Sequence, residues 1–295
     1  MNIESESSLR DPSIAYEAEK FNAQQEKVRR EERGEKKNNP APYERRIARI
    51  REKSREALAQ IIDKACHPWA KEAIIANKDL IDNIRTKMGI SINTTAYSLR
   101  SILQDGEYRS SEPRGLMNRL LKSPFFSLAN RTRVMAERKL EIRPSGLKND
   151  PPLVYGSTTY GDKENIKGGA PLYGNVVIKL NFNEVKERTT FTITDSFSPF
   201  FSRDTTTYEE APVLKFLHQS KASLTDFGYT EAQIAGGVRL KDIQEIVFPI
   251  SSDFDERWLQ GTLADPKIKQ NLSSNPHLRL TTIDTRDKKE QERKV

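Results

Sequence analysis

Apolar and polar positions along this 295-residue chain follow two different periods. Residues 176–182 alternate and are rich in β-branched and aromatic side chains, and residues 189–194 read Thr-Thr-Phe-Thr-Ile-Thr. The short polar link at 183–188 makes the pair read as a β-hairpin or two adjacent strands. The second run puts Thr190, Thr192 and Thr194 on one face and Thr189, Phe191 and Ile193 on the other, with Asp195-Ser196 directly after. The threonine face is either a hydroxyl-lined wall for a polar ligand or a solvated strand face ending in a turn.

Upstream the period is helical. Residues 14–33 can form a helix but carry few apolar side chains, and Asn38-Asn39-Pro40-Ala41-Pro42 then breaks the chain. Residues 43–65 place Ile47, Ile50, Ala57, Leu58, Ile61 and Ile62 at helical spacing, and residues 69–88 do the same with Trp69, Ile74, Ile75, Leu80, Ile81 and Ile84. Between them, Cys66-His67-Pro68 reads as a helix junction rather than a catalytic dyad. Neighbouring side chains diverge, and no orienting acid is near. A short helix is expected at 97–103, the end of a strand at 153–156, a mobile loop at 160–169, a lid-length loop at 197–212 and a short helix at 212–221. Strands are expected at 230–238 and 243–250. The chain thus divides into a polar appendage (1–42), a helical extension (43–89), an α+β domain (90–252) and a polar tail (253–295).

Composition narrows the setting. A mean hydropathy of −0.73 with 31% charged residues predicts a folded core with polar ends. The single cysteine, Cys66, excludes an internal disulfide framework and fits a reducing cytosol. No apolar run reaches membrane-span length, so no membrane partner is expected. The first residues lack the apolar core of a secretory signal, which points to the cytoplasm or to secretion by another route. The net charge of +7 favours anionic partners. Basic residues are interleaved with acids at 27–37, however, as on a solvated helix, which weighs against nucleic acid there. No P-loop, HExxH, paired CxxC or GxSxG is present, and His67, His218 and His277 have no metal-ligand spacing, so no metal is expected.

Two carboxylates and one arginine stand out. Residues 113–143 are strongly basic around Glu137: this is either a site for a dianionic pyrophosphate or an amphipathic helix with Glu137 in a surface ion pair. Glu231 heads a predicted strand just after Phe227-Gly228-Tyr229, a position from which a rigid element presents a catalytic group. Arg109 is either a surface residue or a bidentate anchor for phosphate or carboxylate.

In order, these segments resemble a bacterial family of unknown function placed near the ADP-ribosyltransferases. The likeness covers residues 90–252. Its D-G-x-Y-R-S segment is matched by Asp105-Gly106-Glu107-Tyr108-Arg109-Ser110. Its acidic helix segment is echoed by Arg133 to Leu140, with Glu137 at the acid. Tyr155-Gly156, Pro171-Leu172-Tyr173-Gly174, Arg188 to Ser196, and Glu231-Ala232-Gln233-Ile234-Ala235-Gly236 followed by Asp242-Ile243 match the rest. Ala136 stands at a usual tryptophan and Ala235 at a common histidine.

The resemblance implies a split-sheet ADP-ribosyltransferase-like core and NAD as substrate. It assigns Glu137 or Glu231 as the catalytic carboxylate, with Glu245 third. Arg109 would hold the pyrophosphate. Thr189, Thr190 and Asp195 would form the hydroxyl strand and its end. Tyr155-Gly156 and Tyr173-Gly174 would supply stacking rings and close backbone. The implied activity is mono-ADP-ribosylation of a protein, with arginine the leading acceptor, by a bacterial effector acting on a host protein in the host cytosol. The rival expectations are a basic nucleic-acid-binding module and a catalytically dead scaffold.

Overall fold

In the computed structural model, which describes residues 42–108, 153–193, 205–224 and 229–286, the helical period of residues 43–88 resolves into more and shorter pieces than expected. Residues 43–65 form α1 (Pro42–Glu52) and α2 (Ser54–Ala65), and residues 69–88 form α3 (Ala70–Ala76) and α4 (Lys78–Lys87). Lys53 and Asn77 break the two runs with backbone outside the helical region. Cys66 ends α2 in extended conformation, as the Cys-His-Pro junction predicts. Its thiol is buried, and that burial pushes it up to about 11, which disfavours the reactive thiolate.

These helices are no separate extension. Ile61, Ala65, Ile81, Ile84 and Met88 belong to the same buried cluster as the strand residues Ile90, Ile92, Ile178 and Phe248. Their apolar stripe has nowhere else to hide from water, so it closes one face of the sheet. Residues 46–295 form one unit and 1–45 another; the sheet and its core lie in the former.

β1 (Gly89–Thr94) follows at once and alternates Ile90 and Ile92 against Ser91 and Asn93. α5 (Ala96–Asp105) has both of its ends fixed by sequence. The Thr95 hydroxyl accepts from Ser98 N at 3.3 Å, and Gly106 closes the helix at φ 77°, in the left-handed region that a Cβ disfavours. The short β2 (Glu107–Tyr108) then pairs elsewhere, as described below. Next come β3 (Val154–Thr159), the short helix α6 (Asp162–Lys167), β4 (Val176–Leu180), α7 (Phe182–Val185) and β5 (Thr189–Thr192). α6 lies where a mobile loop was expected. The polar link at 183–188 is helical rather than a hairpin turn, which carries the chain away from β4.

After α8 (Ala211–Gln219) come β6 (Glu231–Ile234), β7 (Val238–Arg239) and β8 (Ile243–Ile250). β2 and β7 make a separate two-stranded ribbon. The chain does not drift into a tail at 253. α9 (Asp253–Ala264) is capped by Ser252, and α10 (Pro266–Ser273) by Asp265 with Pro266 in its first turn. The two helices return the chain to β9 (Arg279–Asp284), which lies parallel to β8. The domain therefore runs at least to residue 284, and a composition drift was the wrong signal for its end.

Among the described residues the main sheet has seven strands in the order β5-β6-β3-β1-β4-β8-β9, antiparallel except for the last pair. The α+β class stands, but this sheet is continuous where a split one was expected. The two strands read as a hairpin, β4 and β5, are four places apart, with β1, β3 and β6 between them. Register and alternation sort the sheet into two faces. One is apolar, with Phe191, Ala232, Ile234, Val154, Ile90, Ile92, Ile178 and Ile246, and lies against the helices. The other carries hydroxyls, amides and charges.

Candidate active site

A single row crosses the polar face. In register, Thr192 of β5, Glu231 of β6, Ser157 of β3, Ser91 of β1, Lys179 of β4, Glu245 of β8 and Arg279 of β9 stand side by side. Two carboxylates therefore share the face, separated by four strand steps, or about 19 Å at roughly 4.8 Å per step. Their environments differ.

Glu245 is committed to its neighbours. Lys179 Nζ donates to its Oε2 at 2.8 Å and Thr281 Oγ1 to its Oε1 at 2.6 Å. Burial pushes its carboxyl up. The hydrogen bonds from Lys179 and Thr281, with the charges of Lys179 and Arg279, outweigh that and hold it below the ordinary carboxylate value. This carboxylate ties three strands together.

Glu231 sits at the head of β6 and is 2% exposed. Gln233, two residues on and on the same face, donates from Nε2 to Glu231 Oε1 at 2.7 Å and to Thr192 Oγ1 at 2.9 Å. Thr190 Oγ1 in turn donates to Gln233 Oε1 at 3.0 Å. Ser157, opposite Glu231, is fully buried, and among the described residues its Oγ has no hydrogen-bond partner; neither has Thr230 Oγ1, one residue before the glutamate. Buried hydroxyls without a partner are costly unless something else satisfies them. Just before β6, Tyr229 OH lies 3.1 Å from Tyr173 OH with the rings edge to face, and Tyr173 is 54% exposed. A buried carboxylate with the hydroxyls of Thr192 and Ser157 opposite it on the neighbouring strands can accept hydrogen bonds from a polyhydroxylated ligand and stabilise a developing cation.

The segment bearing Tyr173 is strapped across the sheet by one side chain. Asn93 Nδ2 donates to the carbonyls of Lys167 at 2.9 Å and Gly174 at 3.0 Å, and its Oδ1 accepts from Ala170 N at 3.1 Å. Ser91 Oγ accepts from Gly169 N at 3.2 Å. Gly174, at φ 143°, lies so close to the Thr94 backbone that any Cβ there would collide with it. Replacing Asn93 by alanine is expected to remove all three Asn93 bonds and cost about 2–3 kcal/mol, at roughly 1 kcal/mol each. Amide exchange checks it: Ala170 should lose protection strongly, while Gly169, still held by Ser91, should lose less.

The residues singled out in the sequence separate clearly. Glu231, Thr190 and Tyr155 share the polar face, with Tyr155 opposite Gln233 in register. Tyr173 and Gly174 lie in the strap. Thr189 is a correction: it lies on the opposite face, fully buried, and its hydroxyl donates to the Val185 carbonyl at 2.7 Å. The hydroxyls beside Glu231 are Thr190 and Thr192 instead. Gly156 also faces the core, where an added Cβ would come within 2.7 Å of the Ser91 carbonyl oxygen, so it serves close strand packing. Nor is the threonine face solvated: Thr190 and Thr192 are both buried. Arg109, Glu137 and Asp195 lie outside the described residues. Sequence reasoning passed over Gln233, Ser157, Tyr229 and Asn93 as site residues. The alternation Ile90-Ser91-Ile92-Asn93 was a usable signal for the last.

No protein-family model matches this chain, and no curated protein is similar to it in sequence. Among solved structures, the DarT of Thermus sp. 2.9 in complex with carba-NAD+ aligns with a TM-score of 0.34 and 14% identity, covering 68% of this chain and 96% of that chain. A likeness of that size does not establish a shared fold, and the site stands on its own residues.

Proposed function

We propose that this chain is an NAD-dependent mono-ADP-ribosyltransferase acting on a protein, with Glu231 as its catalytic carboxylate. The observation that carries this reading is the buried Glu231 at a strand head, held by Gln233 beside a hydroxyl-lined strand. The ordered motifs of residues 105–243, which resemble a family near the ADP-ribosyltransferases, supply the chemistry to test. In that reaction the bond between nicotinamide and ribose breaks, and nicotinamide leaves with the electron pair. An oxocarbenium-like sugar forms, and the acceptor bonds to its anomeric carbon while giving up a proton. Glu231 would accept a ribose hydroxyl and face the cation, and Tyr173 and Tyr229 would offer rings to the nicotinamide side. Arg109 remains the proposed pyrophosphate anchor. Arginine is the leading acceptor, in a host protein met in the host cytosol after delivery as a bacterial effector.

Labelled NAD incubated with the purified chain and a eukaryotic lysate tests this. A labelled protein band supports the reading, and mass-spectrometric placement of the label on an arginine side chain would identify the acceptor residue. No band and no nicotinamide release would overturn the transferase. Salt-dependent retention of DNA or RNA by the same preparation would then favour a nucleic-acid-binding module.

A further inference from the structure

Resting on that reading, we infer that Gln233 is the positioning residue of the reaction: it fixes the Glu231 carboxylate against the substrate. Gln233 is 1% exposed and uses both ends of its amide. Nε2 donates to Glu231 Oε1 at 2.7 Å and to Thr192 Oγ1 at 2.9 Å, and Oε1 accepts from Thr190 Oγ1 at 3.0 Å. An ionised carboxylate only accepts, so the amide must turn its nitrogen toward it, and the Thr190 hydroxyl, donating to the amide oxygen, locks that orientation. The order of the relay is thus Thr190, Gln233, Glu231, with Thr192 as a second brace. All four groups project from β5 and β6, whose pairing sets Thr190 opposite Gln233 and Thr192 opposite Glu231. A side chain mounted on a paired strand and bonded at both ends has no rotamer freedom left to spend.

A purely architectural glutamine would serve as well if it bonded any two hydroxyls. This one spends a donor on the carboxylate assigned to catalysis. Glutamate at 233 would set a second carboxylate within about 3 Å of the first, where the two cannot both ionise comfortably. The residue at 233 therefore governs the geometry and charge of Glu231 while touching no substrate itself.

The test is steady-state nicotinamide release by wild type, Gln233→Met, Gln233→Glu and Thr190→Val, with melting temperatures measured alongside. Gln233→Met keeps the shape and removes the donor; kcat is expected to fall about 100-fold, the loss typical of a small misplacement of a reacting group, with KM little changed. Gln233→Glu should fall comparably. Thr190→Val, which frees the amide to turn but leaves it in place, should show a smaller fall in kcat, again without a matching rise in KM. If Gln233→Met fails to fold, Thr190→Val and Thr192→Val carry the same decision. Full kcat in folded variants with only a lowered melting temperature would overturn the positioning role and leave the transferase intact. A wild-type chain that releases no nicotinamide would overturn both.

Discussion

Replacing Glu231 by glutamine is expected to reduce NAD cleavage by about 10³–10⁴-fold while leaving the protein folded and able to bind NAD. Glutamine has the same shape, and its carbonyl oxygen can still accept from Gln233 Nε2, which now donates to Glu231 at 2.7 Å. That bond is kept, so the stability change should be modest beside the loss of turnover. On the proposed mechanism, what is lost is the negative charge facing a developing cation, the one term whose value rises only in the transition state. Glu245→Gln is the matched control. It removes a carboxylate from the same row of the same face, but one bound to Lys179 and Thr281 and about 19 Å away at roughly 4.8 Å per strand. It should lower the melting temperature and spare kcat. Glu137→Gln completes the set. Wild-type-like turnover by Glu231→Gln, with loss in Glu137→Gln, would move the catalytic carboxylate to residue 137.

Some features of this candidate site were legible in the sequence, where local chemistry fixes them. A period-two run of threonines, a glutamate at a strand head and a Tyr-Gly pair after a proline can be read without knowing what lies opposite. Pairing could not be read that way. Residues 176–182 and 189–194 look like a hairpin because they are near in sequence, yet α7 and a 3-10 turn at Lys186–Arg188 turn the chain, and β5 ends at the sheet edge, paired with β6. That non-local choice decides which threonine matters. Once Thr190 stands opposite Gln233, Thr189 must face the core, where its hydroxyl caps the Val185 carbonyl. The same holds for β9, whose only apolar side chains are Leu280 and Ile283. Its strand character comes from β8, which offers it a parallel ladder at the sheet edge. The caps that lead to it, Ser252 and Asp265-Pro266, were the local signals available, and a bulk drift in polarity hid them.

The largest expected effect on stability lies beneath β3. Lys215 on α8 is 1% exposed; its Nζ lies 2.6 Å from Glu164 Oε2 and donates to the Thr158 carbonyl at 3.2 Å. Glu164 also accepts from Tyr160 N at 2.9 Å, so the pair joins α8, α6 and the end of β3. Glu164→Ala leaves a buried ammonium without its counter-charge, and a loss of about 3–5 kcal/mol is expected at neutral pH. Burial holds Lys215 below its ordinary lysine value, and Glu164 pulls the other way. The sign follows. With the folded value lowered, the unfolded chain binds more protons between the folded and the ordinary lysine values, so stability rises with pH across that window. The burial penalty is fully present below it. Removing Glu164 lowers the folded value further and opens the window from its acid side, so the variant should regain stability on alkalinisation sooner than wild type does. Adding Lys215→Met to Glu164→Ala removes the charge instead of neutralising it. The double variant should recover most of the loss and show a flatter pH dependence. Urea melts of the three proteins between neutral and alkaline pH measure all of this. Equal destabilisation of the single and double variants would mean that the pair holds α6 by packing rather than by charge.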